Sequence, residues 1–155
     1  ENGADEAARS EMSIAALEAG IAFNNASVTL IHGMSRPIGA LFHIPHGLSN
    51  AMLMKTCLSY ALPGAQARFA ELGRAVGAAR EDASDEAAAA CFLEALSRLT
   101  ARLEIPTLEQ YGVDRQAFFA AIDKMAHDAM ESGSPQNTMR DLTEADIRQL
   151  YTQLW

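Results

Sequence analysis

The sequence predicts an all-α domain, on three observations. Hydrophobic residues make up 49% of the chain while aromatics make up 6%, and alanine fills runs such as Ala87 to Ala90; alanine is the best helix former and a poor strand former. Apolar positions recur at three- and four-residue spacing, and no segment alternates convincingly with a period of two. No repeat or low-complexity linker divides the 155 residues, and a chain of this size buries about 70% of its unfolded surface in one domain without staples.

About seven helices are expected. Residues 4–23 read as the first, with Ile14, Leu17 and Ile21 on one stripe and Glu6, Glu11 and Glu18 elsewhere. Asn24-Asn25 loosens the run, and Ser27 is a candidate cap for a second helix through Val28, Leu30, Ile31 and His32. Pro37 and Gly39 disturb that pattern and Pro45 breaks it. A third, mostly apolar helix runs from about His46 and ends at Pro63-Gly64.

Residues 65–77 form an amphipathic helix with Phe69, Leu72 and Val76 inward. Ser84 caps a helix over 85–103, with Asp85 and Glu86 in its first turn and a stripe of Cys91, Phe92, Leu96 and Leu99. Pro106 stops it. Asp114 caps a helix whose stripe is Phe118, Ala121, Ile122 and Met125, and a polar loop follows from Glu131 to Arg140. The last helix opens at Thr143 to Asp146, close to a capping box, and ends in Leu150, Tyr151 and Trp155.

Charge and cysteine usage narrow the function classes. Acids outnumber bases 20 to 12, for a net charge of −8, which disfavours nucleic acid and anionic membrane as partners. Cys57 and Cys91 are too few for a disulfide framework and read as reduced thiols in a cytoplasmic core. No run approaches the roughly 18 apolar residues of a membrane span. The start, ENGADEAARSE, has neither the basic nor the apolar region of a signal peptide, and no initiator methionine.

One cluster of residues carries chemistry. Three of the four histidines, His32, His43 and His46, lie within fifteen residues. On one straight helix the fourteen-residue step from His32 to His46 returns to the same face but about 21 Å further along, too far for a shared metal ion. A bend in the Pro37–Pro45 region would bring the imidazoles together, and each could then ligate a borderline divalent metal. The alternative is two unrelated histidines, one in a core and one opening a buried helix. Two ligands do not complete a site, and the nearest carboxylates, Glu18 and Glu71, have no persuasive spacing.

At these residues the chain resembles the iron-containing (group III) alcohol dehydrogenases. Their signature runs roughly N-A-x-x-G-x-x-H-x-x-x-H-P-x-G, then P-H-G-x-x-N-A. It is matched at Asn25-Ala26, His32-Gly33, Pro37, Gly39, Pro45-His46-Gly47 and Asn50-Ala51, including the histidine spacing. The tail SGSPQNTMRDLTEADIRQLY resembles the family's S-G-N-P-R ending, so the likeness spans essentially the whole chain.

The resemblance implies the C-terminal multi-helix bundle of the dehydroquinate synthase-like fold, as one domain over 1–155. It implies His32 and His46 as metal ligands, a divalent metal (Fe2+ or Zn2+) and NAD(P) as cofactors of the full-length enzyme, and hydride transfer between an alcohol and an aldehyde or ketone. It further implies a homo-oligomer, a missing N-terminal dinucleotide-binding domain that carries the glycine-rich loop and the other two ligands, and an isolated chain that is inactive and can be metal-free. Phe23 and His43 take positions near the substrate in relatives, against their ordinary readings as a core residue and an exposed loop histidine.

There are departures. Thr29 replaces a usual glycine, and Arg36 stands where many members carry a second histidine four residues after the first ligand. Histidine there relays protons, whereas arginine stays charged and only donates hydrogen bonds. Arg36 is thus a catalytic candidate that holds an anionic or carbonyl group, unless it simply points to solvent. Two rival readings keep the histidines structural: a helical interaction or regulatory domain, and a degenerate family member retained for assembly.

Overall fold

The structure is a computed structural model that describes residues 2–155. Among the described residues it contains seven α-helices, one 3-10 turn and no strand: α1 (Glu6–Ala26), α2 (Leu30–Phe42), α3 (His46–Ala75), α4 (Asp85–Arg102), α5 (Leu108–Tyr111), α6 (Arg115–Glu131), the turn at Pro135–Asn137, and α7 (Glu144–Thr152). No single described helix is long and apolar enough to cross a membrane.

The helix starts follow local chemistry. Side chains of Asp5, Ser84 and Asp114 accept from the backbone N–H groups of Ala8, Ala87 and Ala117, as N-caps do. Thr143 and Asp146 form the reciprocal capping box of α7. A second capping box, Thr107 with Gln110, opens the short α5, an element the sequence reading leaves out.

The main core gathers the buried stripes of four helices: Leu30, Met34 and Ile38 of α2, Leu53 and Cys57 of α3, Phe118, Ile122 and Met125 of α6, and Ile147, Leu150 and Tyr151 of α7. The buried Tyr151 hydroxyl donates to the Met34 carbonyl at 2.8 Å, tying α7 to α2. A smaller core joins Ala65, Phe69 and Ala70 of α3 to Ala88 and Ala89 of α4. There the helices approach closely because Gly73 has no side chain; a Cβ would stand 2.4 Å from the Ala88 carbonyl oxygen.

Five expectations are corrected. Pro63-Gly64 does not end a helix: α3 runs on to Ala75 and turns at Ala65, whose φ −140°, ψ 25° is the only non-helical residue inside it. Pro63 removes one backbone donor, and the chain absorbs that loss in a kink rather than a break. Leu72 and Val76 beyond the kink are exposed, as is Leu99 on α4, because α3 and α4 meet through their small residues instead. The α1 stripe is exposed too, Leu17 at 65%, and no α1 residue is buried. Ser27 does not cap α2; it ends α1 at φ 68°, and the Leu30 N–H is taken by the Thr138 hydroxyl at 3.1 Å. α7 stops at Thr152, and Leu154 and Trp155 pack on the main core beyond it.

Candidate metal centre

His32 lies in the first turn of α2 and His46 is the first residue of α3. The bend expected between Pro37 and Pro45 falls toward the end of that span, since α2 continues through Pro37 to Phe42. The chain reverses at His43, which ends α2 in the left-handed region at φ 54°, and then runs back along the helix. Gly39 permits that return: the Ile44 carbonyl oxygen passes where a Gly39 Cβ would stand only 3.2 Å away, and Ile44 is buried. The imidazole rings of His32 and His46 end with centroids 5.2 Å apart.

Around them opens a cleft of about 440 Å³. α1 and α2 meet at 110°, so Phe23 near the end of α1 faces α2, its ring centroid 6.4 Å from that of His32. Arg36 follows His32 by one helical turn and lines the same cleft, and Asn24, Ser27 and Val28 complete the corner. The tail clasps that corner. Asn137 Nδ2 donates to the Ser27 hydroxyl at 3.2 Å and the Val28 carbonyl at 3.0 Å, and Arg36 Nη1 donates to Ser134 Oγ at 3.1 Å. Pro135 presses against Gly33, where a Cβ would stand 2.6 Å from its ring.

The electrostatics favour a ligand-competent imidazole. Burial, then the neighbouring His46, then the Arg36 guanidinium hold the His32 pKa below the ordinary histidine value, so its ring is neutral at neutral pH with a lone pair free. His46 meets the side-chain amide of Asn50, one turn along α3, at 3.1 Å between Nε2 and Nδ2. The donor set suits a borderline divalent metal, with two nitrogens and no competing ion pair. It is also only part of a site, because no group of three or more His, Cys, Asp or Glu side chains converges anywhere among the described residues.

The structure therefore brings together His32, His46, Arg36 and Phe23, but not His43. His43 is an exposed residue at the far end of α2, outside the cleft lining, where its carbonyl accepts from the Tyr111 hydroxyl at 3.4 Å. His127 is a surface residue beside Glu144. Sequence reasoning missed Asn50 as a neighbour of His46, although its four-residue helical offset is a usable signal. It also missed the contacts of Ser134, Asn137 and Thr138, which reach the corner of the cleft from about 100 positions away, although the tail that carries them resembles the family's ending.

Comparison with known proteins gives the same direction. A family model described as Fe-containing alcohol dehydrogenase family, C-terminal, matches residues 1–155. Relatives include the 1,3-propanediol dehydrogenase of Citrobacter freundii, 32% identical over 97% of this chain and 38% of that protein. The lactaldehyde reductase of Escherichia coli K12 is 31% identical over 97% of this chain and 39% of its own length. Among solved structures, a 1,3-propanediol oxidoreductase superposes with TM-score 0.90 and 30% identity, over 99% of this chain and 39% of that one. An alcohol dehydrogenase from Oenococcus oeni gives TM-score 0.89 at 30% identity, with the same shares. The chain thus spans about two fifths of the length of the relatives it matches.

Proposed function

Because this chain belongs to the Fe-containing alcohol dehydrogenase family, we propose that it forms the helical part of a metal-dependent, NAD(P)-linked dehydrogenase interconverting an alcohol and an aldehyde or ketone. The 5.2 Å approach of His32 and His46 on an open cleft carries this reading. These two imidazoles would hold a divalent metal, Fe2+ or Zn2+, from the helical side. A metal held there would supply a Lewis acid that stabilises negative charge on the substrate oxygen, and NAD(P) would supply the hydride donor or acceptor. The remaining ligands and the dinucleotide-binding domain are proposed to lie in sequence outside these residues, in a homo-oligomeric enzyme.

The residues present divide the remaining work. Phe23 and Val28 supply the apolar side of the cleft beside the imidazoles. Arg36 lines the cleft with donors that Ser134 leaves unused, and a guanidinium has no acceptor to offer an alcohol proton. His43, exposed and outside the cleft lining, is assigned no role in this reading.

The test is metal analysis and an activity screen on the full-length protein, with His32→Ala and His46→Ala beside wild type, on short alcohols, aldehydes and 2-oxo acids. Loss of bound metal together with activity is expected from each variant. Structural histidines would instead change stability and leave metal content alone. The isolated chain is expected to be inactive, and NAD(P)-dependent alcohol oxidation by it would overturn the division proposed here.

A further inference from the structure

The cleft beside the histidine pair has a polarity that a simple alcohol would not require. None of its lining residues is acidic, although the chain carries 20 acids and a net charge of −8. Arg36 is the one formally charged side chain that lines it. Among the described residues Arg36 has no carboxylate partner, a state it shares with Arg9, Arg102, Arg115 and Arg140, but of these five only Arg36 lines the cleft.

Arg36 is also anchored. Its Nη1 donates to the hydroxyl of Ser134, which is 4% exposed and fixed in the clasp between α6 and the tail. One of five N–H donors is thereby used, and the fork keeps donors free for a further acceptor. Holding the guanidinium in place in advance reduces the entropy lost when a ligand binds. The arginine lies one turn from His32 on α2 and lines the same cleft.

We propose that this cleft binds a substrate that carries a carboxylate, an oxo acid or its hydroxy acid, with Arg36 gripping the carboxylate while the reacting carbon lies at His32 and His46. This rests on the dehydrogenase reading above and narrows its substrate class. A planar guanidinium matches a planar carboxylate with two parallel hydrogen bonds, and one fixed charge suits one monovalent group. In the reductive direction the oxo acid gains a hydride at its carbonyl carbon from NAD(P)H and a proton at its oxygen, leaving NAD(P)+ and the hydroxy acid. The carboxylate makes and breaks no bond.

The test uses the full-length enzyme and pairs of substrates matched in chain length, one an ω-oxo carboxylate and the other the uncharged aldehyde, across two to six carbons. Wild type is expected to favour the carboxylate member of at least one pair. Arg36→Gln should lower the ratio of the two kcat/KM values roughly 10- to 100-fold, the usual worth of a hydrogen-bonded charge, with Arg36→Lys intermediate. Binding is read separately, as saturable shifts of the His32 and His46 ring signals by NMR on titration with butyrate, absent in Arg36→Gln. An unchanged ratio together with unchanged butyrate binding overturns the proposal. So does a rise in KM for NAD(P)H alone, which would assign the guanidinium to a cofactor phosphate. Butyrate binding that needs Arg36, in a metal- and cofactor-loaded protein that reduces neither aldehyde, supports the anion site and sinks the dehydrogenase reading instead.

Discussion

Asn50 stands one turn beyond His46 on α3, and its side-chain amide meets the ring Nε2 at 3.1 Å while its own Oδ1 is buried without a hydrogen-bond partner. With the amide turned over, Oδ1 accepts from the Nε2–H of His46, which gives the buried oxygen a partner and leaves Nδ1 with the lone pair that a metal needs. Asn50→Ala is expected to weaken metal binding by the full-length enzyme roughly 10- to 100-fold, the range for groups that orient a ligand. Equilibrium dialysis against a chelator measures this, and a variant with unaltered metal affinity would remove Asn50 from the site.

Gly64 lies just before the kink in α3, where the tail crosses it. A Cβ there would stand 1.9 Å from the Met139 carbonyl oxygen and 2.8 Å from Arg140 Cβ. Both neighbours are held nearby, because Arg140 donates to the Tyr60 carbonyl at 2.7 Å and its guanidinium covers the Tyr60 ring. Gly64→Ala should therefore cost at least ~2 kcal/mol in urea unfolding, the overpacking range. Gly47→Ala is the control, since nothing lies within 4 Å of a Cβ at that position.

Asp146 holds the start of α7 by accepting from the Thr143 hydroxyl at 2.6 Å and the Thr143 N–H at 2.7 Å. The hydroxyl bond first, and the backbone bond second, hold its carboxyl below the ordinary value. A carboxyl depressed in the folded state adds stability above its unfolded pKa and loses it as pH falls through the folded one. Asp146→Asn should thus cost about 1 kcal/mol at neutral pH, as capping changes do, and the gap to wild type should close on acidification below the normal aspartate range. A gap that persists in acid would show that shape, not charge, matters there.

Cys57 is buried in the main core, with its thiol donating to the Met34 sulfur at 3.6 Å. Burial pushes its pKa up to about 12, so the thiolate that an alkylating agent needs is scarce at pH 8. Alkylation of the folded protein is expected to mark Cys91, half-buried on α4, and to spare Cys57 until denaturant is added. Mass spectrometry of the labelled peptides decides this.

What was legible in the sequence was mostly local. Ser84, Asp114 and the Thr143–Asp146 pair announce helix starts because an N-cap acts within three residues of itself. The histidine pair was legible through its motif, and its proximity follows from a return segment that Gly39 lets pass. The corrections concern quantities set by distant parts of the chain. Whether Pro63 breaks or merely kinks a helix depends on what the second half packs against. Leu72 and Val76 have helical spacing yet stay exposed, because the α3–α4 contact runs through Gly73, Ala88 and Ala89. The cap on α2 comes from Thr138, more than 100 residues away, and no window of sequence could reveal it.

That long-range clasp has a consequence for biosynthesis. Ser134, Asn137 and Thr138 leave the ribosome roughly 100 residues after His32, a delay on the order of 5–20 s at typical elongation rates. The paired imidazoles emerge well before the corner that frames them can be secured. Through that interval α2 has no Thr138 at its N-terminus and Arg36 has no anchor. The nascent cleft therefore matures from its C-terminal end backwards, and a ribosome stalled before Ser134 would display the histidines without the frame that holds them.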